Sequence, residues 1–92
     1  MTIRHEPDAS RYVYLDEAGV EVGEVEYQLD GDTLRLLRAE VPMERRGEGL
    51  GLALVRETLE MIRDEHHGTI QPICPFIAKF MVKNPEFQAL RA

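Results

Sequence analysis

Seven consecutive residues, Arg45-Arg46-Gly47-Glu48-Gly49-Leu50-Gly51, hold the types and spacing best suited to chemistry in this chain. Two cations are followed by glycines at alternate positions, directly ahead of a helical pattern. The first turn of a helix leaves N–H groups without partners, and its dipole favours an anion there. Glycines at 47, 49 and 51 keep side chains away from those N–H groups. Arg45 and Arg46 add charge-assisted hydrogen bonds. The physics supports an anion site, with phosphate as the recurrent ligand of such turns. A tight turn that lets strand and helix pack closely is the structural alternative.

Spacing excludes two phosphate ligands. A P-loop needs Gly-Lys followed by Ser or Thr, which is absent. The dinucleotide pattern G-x-G-x-x-G fails from Gly47, where its last position is Leu52, and from Gly49, where it is Leu54.

The elements around this segment follow from periodicity. Arg11 to Leu15 is rich in aromatic and β-branched types and reads as a strand. Asp16-Glu17-Ala18-Gly19 reads as a turn. Val20 to Leu29 alternates as a second strand, with a change of phase at Gly23 that predicts a bulge or bend. Asp30-Gly31-Asp32 predicts a hairpin turn. Thr33 to Val41 is a third strand, ended by Pro42. Gly49 to His66 is a helix, with Leu52, Val55, Leu59 and Ile62 on its apolar face and Leu50, Leu54 and Met61 widening it. Gly68 is expected as its C-terminal cap. Thr69 to Ile73 is a short strand, and Pro75 to Lys83 a short helix ended by Asn84-Pro85. The class is α+β: an antiparallel meander followed by β-α-β-α, in which the strands flanking the long helix are parallel.

The composition bounds the function. The chain of 92 residues is expected to be one domain with one core. A net charge of −6 argues against a nucleic-acid partner, whose affinity rests on Lys and Arg. No apolar run is long enough to span a bilayer, and Met1 to Pro7 lacks an apolar h-region, so a cytoplasmic protein is expected. The lone Cys74 makes neither an internal disulfide nor a Cys-rich zinc site. His66 and His67 fall at the predicted helix end, where positive charge is favourable, and no metal site is expected. Lys79 and Lys83 lie four apart on the short helix, as a solvated face or as a contact for the nucleotide end of a bound cofactor. Asp16, Glu17, Glu21, Glu24 and Glu26 read as the exposed edge of the meander or as steering charge for a cationic substrate.

Arg46-x-x-Gly49-x-Gly51 matches the R/Q-x-x-G-x-G/A pattern of the GNAT acetyltransferase superfamily, between a central strand and its following helix. Glu40-Val41-Pro42, Leu54-Val55, Pro72-x-Cys74-Pro75-Phe76 and Asn84-Pro85-Glu86-Phe87 extend the match. Together they resemble a subgroup of very small GNAT-like domains, over about Arg11 to Leu90. The resemblance implies a compact GNAT-like fold that lacks the two helices usually following the first strand and has a splayed parallel strand pair. It implies acetyl-coenzyme A as co-substrate, with the pyrophosphate on the amides of Arg46, Gly47, Glu48, Gly49, Leu50 and Gly51 and the pantetheine arm beside Glu40 and Val41. The implied function is acetyl transfer to a small-molecule or protein amine, by a monomer or homodimer. The alternative is an acyl-coenzyme A binding or interaction module with little turnover.

Many members use a tyrosine on the last helix as acid. Here the tyrosines are Tyr12, Tyr14 and Tyr27, all in the first half, and Phe76, Phe80 and Phe87 occupy the last region. Two catalytic candidates remain. Cys74 precedes a helix start, which favours a thiolate, and would accept the acetyl group, protonate the departing thiolate or line the pocket. Its other reading is a small core residue. Glu40, on the strand facing the implied thioester, would take a proton from an ammonium substrate. Its other reading is a solvated or ion-paired glutamate.

Overall fold

The computed structural model describes residues 1–66 and 68–92, so the reading of His67 lies outside the described residues. Five strands form one mixed sheet in sequence order: β1 (Thr2–Glu6), β2 (Arg11–Leu15), β3 (Glu21–Asp30), β4 (Thr33–Glu40) and β5 (Thr69–Pro72). The first four are antiparallel neighbours, and β4 pairs with β5 in parallel. Helix α1 (Leu50–Glu65) connects β4 to β5, and α2 (Pro75–Lys83) follows β5. Short 3-10 turns occupy Pro7–Ala9, Met43–Arg45 and Pro85–Leu90. This is the α+β arrangement that the periodicity predicts.

The core lies between α1, α2 and the sheet. Leu50, Leu54, Val55, Leu59 and Ile62 of α1 meet Tyr12, Tyr14, Val22, Val25 and Leu36 of the strands and Ile77, Phe80 and Met81 of α2. The predicted hairpin turn forms with Gly31 at φ 61, a left-handed conformation that glycine adopts without steric cost. The predicted irregularity at Gly23 is also present. Tyr14 pairs with Gly23 and Leu15 with Glu21, so Val22 is the extra residue of a bulge. That is why Val22 and Val25 are both buried despite their odd spacing.

Several expectations are corrected. Strand β1 carries too many polar residues (Arg4, His5, Glu6) to read as a strand, and its pairing with β2 creates it. The acidic run is therefore not the sheet edge. Arg11 pairs with Glu21 at 3.0 Å and Glu24 at 2.7 Å, and Arg38 pairs with Glu26, all across neighbouring strands. Val20 lies outside β3 and is exposed. Gly68 is not a left-handed cap, since His66 ends α1 in extended backbone. Gly68 is needed for space: a Cβ there would sit 1.9 Å from the Asp32 carbonyl oxygen. Leu52 is not on the core face but is 57% exposed. Leu50 and Leu54 take the core face instead, rotating the apolar stripe and leaving Leu52 beside the glycine turn.

Thr58 on α1 is fully buried, and its hydroxyl has no hydrogen-bond partner among the described residues. An unpaired buried hydroxyl costs free energy that a methyl group does not. Thr58→Val is expected to raise stability by about 1 kcal/mol. Thermal unfolding followed by circular dichroism would then show a midpoint roughly 4–8 °C higher.

Candidate functional site

The turn before α1 is built from backbone. Gly47 has φ 90 and Gly49 φ 77, both in the region that β-carbons disfavour. Gly49 caps α1, and among the described residues no side chain caps the helix start, nor does any acidic residue stand in its first turn. The helix start is therefore uncapped and unneutralised, as an anion site requires. Leu50 points into the core, so it and the glycines offer amides rather than side chains.

The two arginines differ in role. Arg45 Nε donates to both Glu48 carboxylate oxygens at 3.1 Å, which spends much of its charge locally. Arg46 Nε donates to the Val41 carbonyl at 3.3 Å and forms no ion pair among the described residues. That bond ties the guanidinium to the end of β4 and leaves its charge available.

The parallel pairing of β4 with β5 stops at Leu36 opposite Pro72. Pro72 cannot donate to a ladder. The Leu36 carbonyl accepts from both Ile73 and Cys74 N–H at 3.0 Å, and the chain then turns into α2. Leu37–Glu40 run on with no partner from β5. Leu37 is the extra residue of a second bulge, because Glu26 pairs with Arg38 and Tyr27 with Leu36. The two strands part here, with a free strand edge on one side of the opening.

Three adjoining hollows surround this opening, and Val41 and Arg46 line all of them. One of about 320 Å³ lies over Gly47, Gly49 and Gly51. The next, about 280 Å³, follows Ala39 and Glu40 beneath Phe76. The third, about 320 Å³, lies at the end of β4 and is walled by Glu21, Glu24 and Glu40. Gly23 allows β3 to approach this end, since a Cβ there would meet the Glu40 carbonyl and the Leu54 side chain at 3.2 Å.

The acidic hollow has structured charge. Glu40 is half-exposed and pairs with Arg38 Nε at 3.2 Å. Burial, then the hydrogen bond with Glu26, pushes the Glu24 carboxyl above the usual range, although the Arg11 guanidinium opposes this. The hydrogen bond from Arg38 holds Glu26 below it.

The predicted turn residues Arg46, Gly47, Gly49, Leu50 and Gly51, with Val41, share one hollow. Glu48 belongs to the turn but engages Arg45. Glu40 lines two of the three hollows. Cys74 is 8% exposed, belongs to the core and lines none of the three. The tyrosines also lie in the core. Tyr14 donates to Glu57, and burial, then that bond, pushes its hydroxyl up to about 12. His66 Nε2 bonds to the Asp32 carbonyl at 2.8 Å, at the far end of α1. Sequence reasoning missed Phe76, Leu52 and Met43. Phe76 lies 3.5 Å from where a Gly51 Cβ would be and roofs two hollows. The exposure of Met43, Leu52 and Phe76 appears only once the core is assembled.

Comparison with known proteins bears on the fold and the family. No curated protein matches the sequence. Among solved structures, a GCN5-like candidate N-acetyltransferase of Staphylococcus aureus superposes with a TM-score of 0.68 at 20% identity, over 99% of this chain and 87% of that one. That likeness is one of fold. An acetyl transferase candidate of Pyrococcus furiosus matches at 25% identity and TM-score 0.49, over 89% of this chain and 58% of its own. Nourseothricin acetyltransferase matches at 29% identity and TM-score 0.47, over 65% of this chain and 36% of its own. A family model described as GCN5-related N-acetyl-transferase matches residues 11–90, spanning the glycine turn, both parting strands and both helices. The chain belongs to the GCN5-related N-acetyltransferase family.

Proposed function

We propose that this protein, acting as one domain and belonging to the small Pro-x-Cys-Pro subgroup, transfers an acetyl group from acetyl-coenzyme A to a cationic amine. The observation that carries the reading is the set of three adjoining hollows around Val41 and Arg46. It joins an uncapped helix start to a carboxylate-walled chamber past the free edge of β4. The amides of residues 46–51 and the Arg46 guanidinium suit the pyrophosphate. The unpaired edge of Leu37–Glu40 suits the amide-bearing pantetheine arm, which would add to it like a strand. An ammonium group entering from the other side meets Glu21, Glu24 and Glu40.

Transfer needs a neutral amine. Glu40 stands where the acetyl carbonyl and the amine would meet, and takes the ammonium proton directly or through water. The amine nitrogen then bonds to the carbonyl carbon, the carbon–sulfur bond breaks, and the departing thiolate takes up, directly or through water, the proton that the nitrogen sheds on becoming an amide. Cys74 is the second candidate, because its N–H anchors the point where β4 and β5 part. Intact mass after incubation with acetyl-coenzyme A tests it as a nucleophile: turnover by protein that never carries an added acetyl group removes that role.

A second reading, a module that holds acyl-coenzyme A without turnover, is favoured by one observation. Neither Cys74 nor any of the three tyrosines lines any of the three hollows. Calorimetric titration with coenzyme A tests what the readings share, and thiol release across an amine panel separates them. Glu40→Gln is expected to lower kcat about 100-fold or more while leaving coenzyme A affinity unchanged. Unchanged kcat in that variant would remove Glu40 from the mechanism.

A further inference from the structure

The proposed transfer needs a group that moves a proton to the departing thiolate. Among the described residues, no tyrosine, cysteine, histidine or lysine lines the three hollows around Val41 and Arg46. Their ionisable side chains are Glu21, Glu24, Glu40, Arg45 and Arg46. Arginine does not give up its proton in a protein. The carboxyls are left, and all three line the hollow at the end of β4.

Glu24 on β3 and Glu40 on β4 are direct partners in the antiparallel register. Like charges directly opposite one another repel, and a proton held on one of them removes the repulsion. Their surroundings decide which one. The Glu40 side chain is 52% exposed and pairs with Arg38 Nε at 3.2 Å. The Glu24 side chain is 21% exposed, the least of the three. Arg38 also engages Glu26 and holds that carboxyl ionised, so Glu26 accepts the hydrogen bond that it shares with Glu24. Arg11 Nη1 reaches Glu24 at 2.7 Å, but the same guanidinium also serves Glu6 and Glu21. Burial and the Glu26 bond outweigh it and push the Glu24 carboxyl above the usual range. Two carboxyls whose surroundings drive them apart can work as base and acid in one chamber.

We propose that Glu24 is the acid of this transfer: its carboxyl gives a proton to the departing thiolate and then takes one from the nitrogen. The inference rests on the reading of this hollow as the acceptor end. Glu40 takes the ammonium proton, and the nitrogen bonds to the carbonyl carbon. As the carbon–sulfur bond breaks, the sulfur takes the Glu24 proton, directly or through a water. The Glu24 carboxylate takes the second proton of the nitrogen as the amide forms. Glu24 ends as it began, and Glu40 releases its proton to solvent.

Two measurements on the full chain test this. Carbon NMR of the glutamate carboxyls is expected to show Glu24 titrating at higher pH than Glu26, because burial favours the proton on one and Arg38 disfavours it on the other. Steady-state kinetics with acetyl-coenzyme A and the fastest acceptor of the amine panel give the second readout. Glu24→Gln should lower kcat about 100-fold, with KM for the amine and coenzyme A affinity within about threefold. The unsubstituted protein should lose kcat at alkaline pH as Glu24 loses its proton, and Glu24→Gln should have no such limb. Glu24→Asp should restore part of the rate. Glu26→Gln removes the carboxylate that favours the proton on Glu24, so the NMR titration and the alkaline limb should move together to lower pH. Glu24 titrating at or below Glu26, an unchanged kcat in Glu24→Gln, or a loss confined to KM overturns the inference and leaves the proposed function standing. Absence of turnover with every amine in the unsubstituted protein overturns both.

Discussion

Gly49→Val is expected to weaken coenzyme A binding roughly 100-fold in a protein that still folds. Gly49 has φ 77, and a β-carbon added there meets no atom within 4 Å. The substitution therefore clashes with nothing in the protein itself. Its cost to stability is backbone strain alone, about 1–3 kcal/mol. The branched side chain stands instead in the space over the first-turn amides. Losing two charge-assisted hydrogen bonds, at about 1.5 kcal/mol each, weakens binding roughly 100-fold. Gly51→Ala is the matched control. Gly51 has no positive φ, and its added β-carbon makes an ordinary 3.5 Å contact with Phe76. It should bind coenzyme A within a few-fold of the unsubstituted protein and be more stable by about 0.5–1 kcal/mol. Calorimetric titration and thermal unfolding on both variants separate the two effects. Full binding by folded Gly49→Val would reduce the glycines to turn formers.

Gly68→Ala is expected to cost the most stability of any single methyl group added to this chain. The new β-carbon would lie 1.9 Å from the Asp32 carbonyl oxygen and 2.9 Å from its carbon, both backbone atoms. That oxygen also accepts from Thr69 N–H at 3.1 Å and from His66 Nε2 at 2.8 Å. Relieving the overlap moves the β3–β4 turn away from the start of β5 and breaks both bonds. A loss of about 3 kcal/mol or more follows, lowering the thermal midpoint by roughly 12–24 °C. Coenzyme A binding at low temperature should survive, because the glycine turn lies at the other end of α1. A midpoint close to that of the unsubstituted protein would mean that the two segments separate without cost.

The two glycines show how unevenly the molecule is written into its sequence. Gly49 is legible as a candidate site residue, since alternating glycines before a helical pattern have a local meaning. By local pattern Gly68 reads as a helix cap, because its neighbour Asp32 is far away in sequence. Leu52 was placed on the core face by periodicity alone. A helix of this composition offers several apolar stripes, and packing against Val25 and Leu36 selects the one through Leu54 and Val55. Strand β1 was missed because an edge strand with alternating charges is held by its partner more than by its own residues.

The candidate site divides in the same way. Arg46 and the glycines read as candidates from type and spacing, and Val41 from the family resemblance. Glu21 and Glu24 were visible only as part of an acidic run. Their place in the wall of a chamber depends on β3 bulging at Val22 and approaching the end of β4 at Gly23.

What the sequence determined by itself is the order of strands and helices from Arg11 onward and the backbone character of the glycine turn. Both depend on residues within a few positions of one another, through periodicity, capping and φ. Tertiary structure alone decided that β4 outruns β5 after Leu36, that Arg46 is the arginine left uncommitted, and that both lysines face the same hollow as Phe76 and Phe80. These follow from register and helix rotation, which are settled by contacts between residues tens of positions apart.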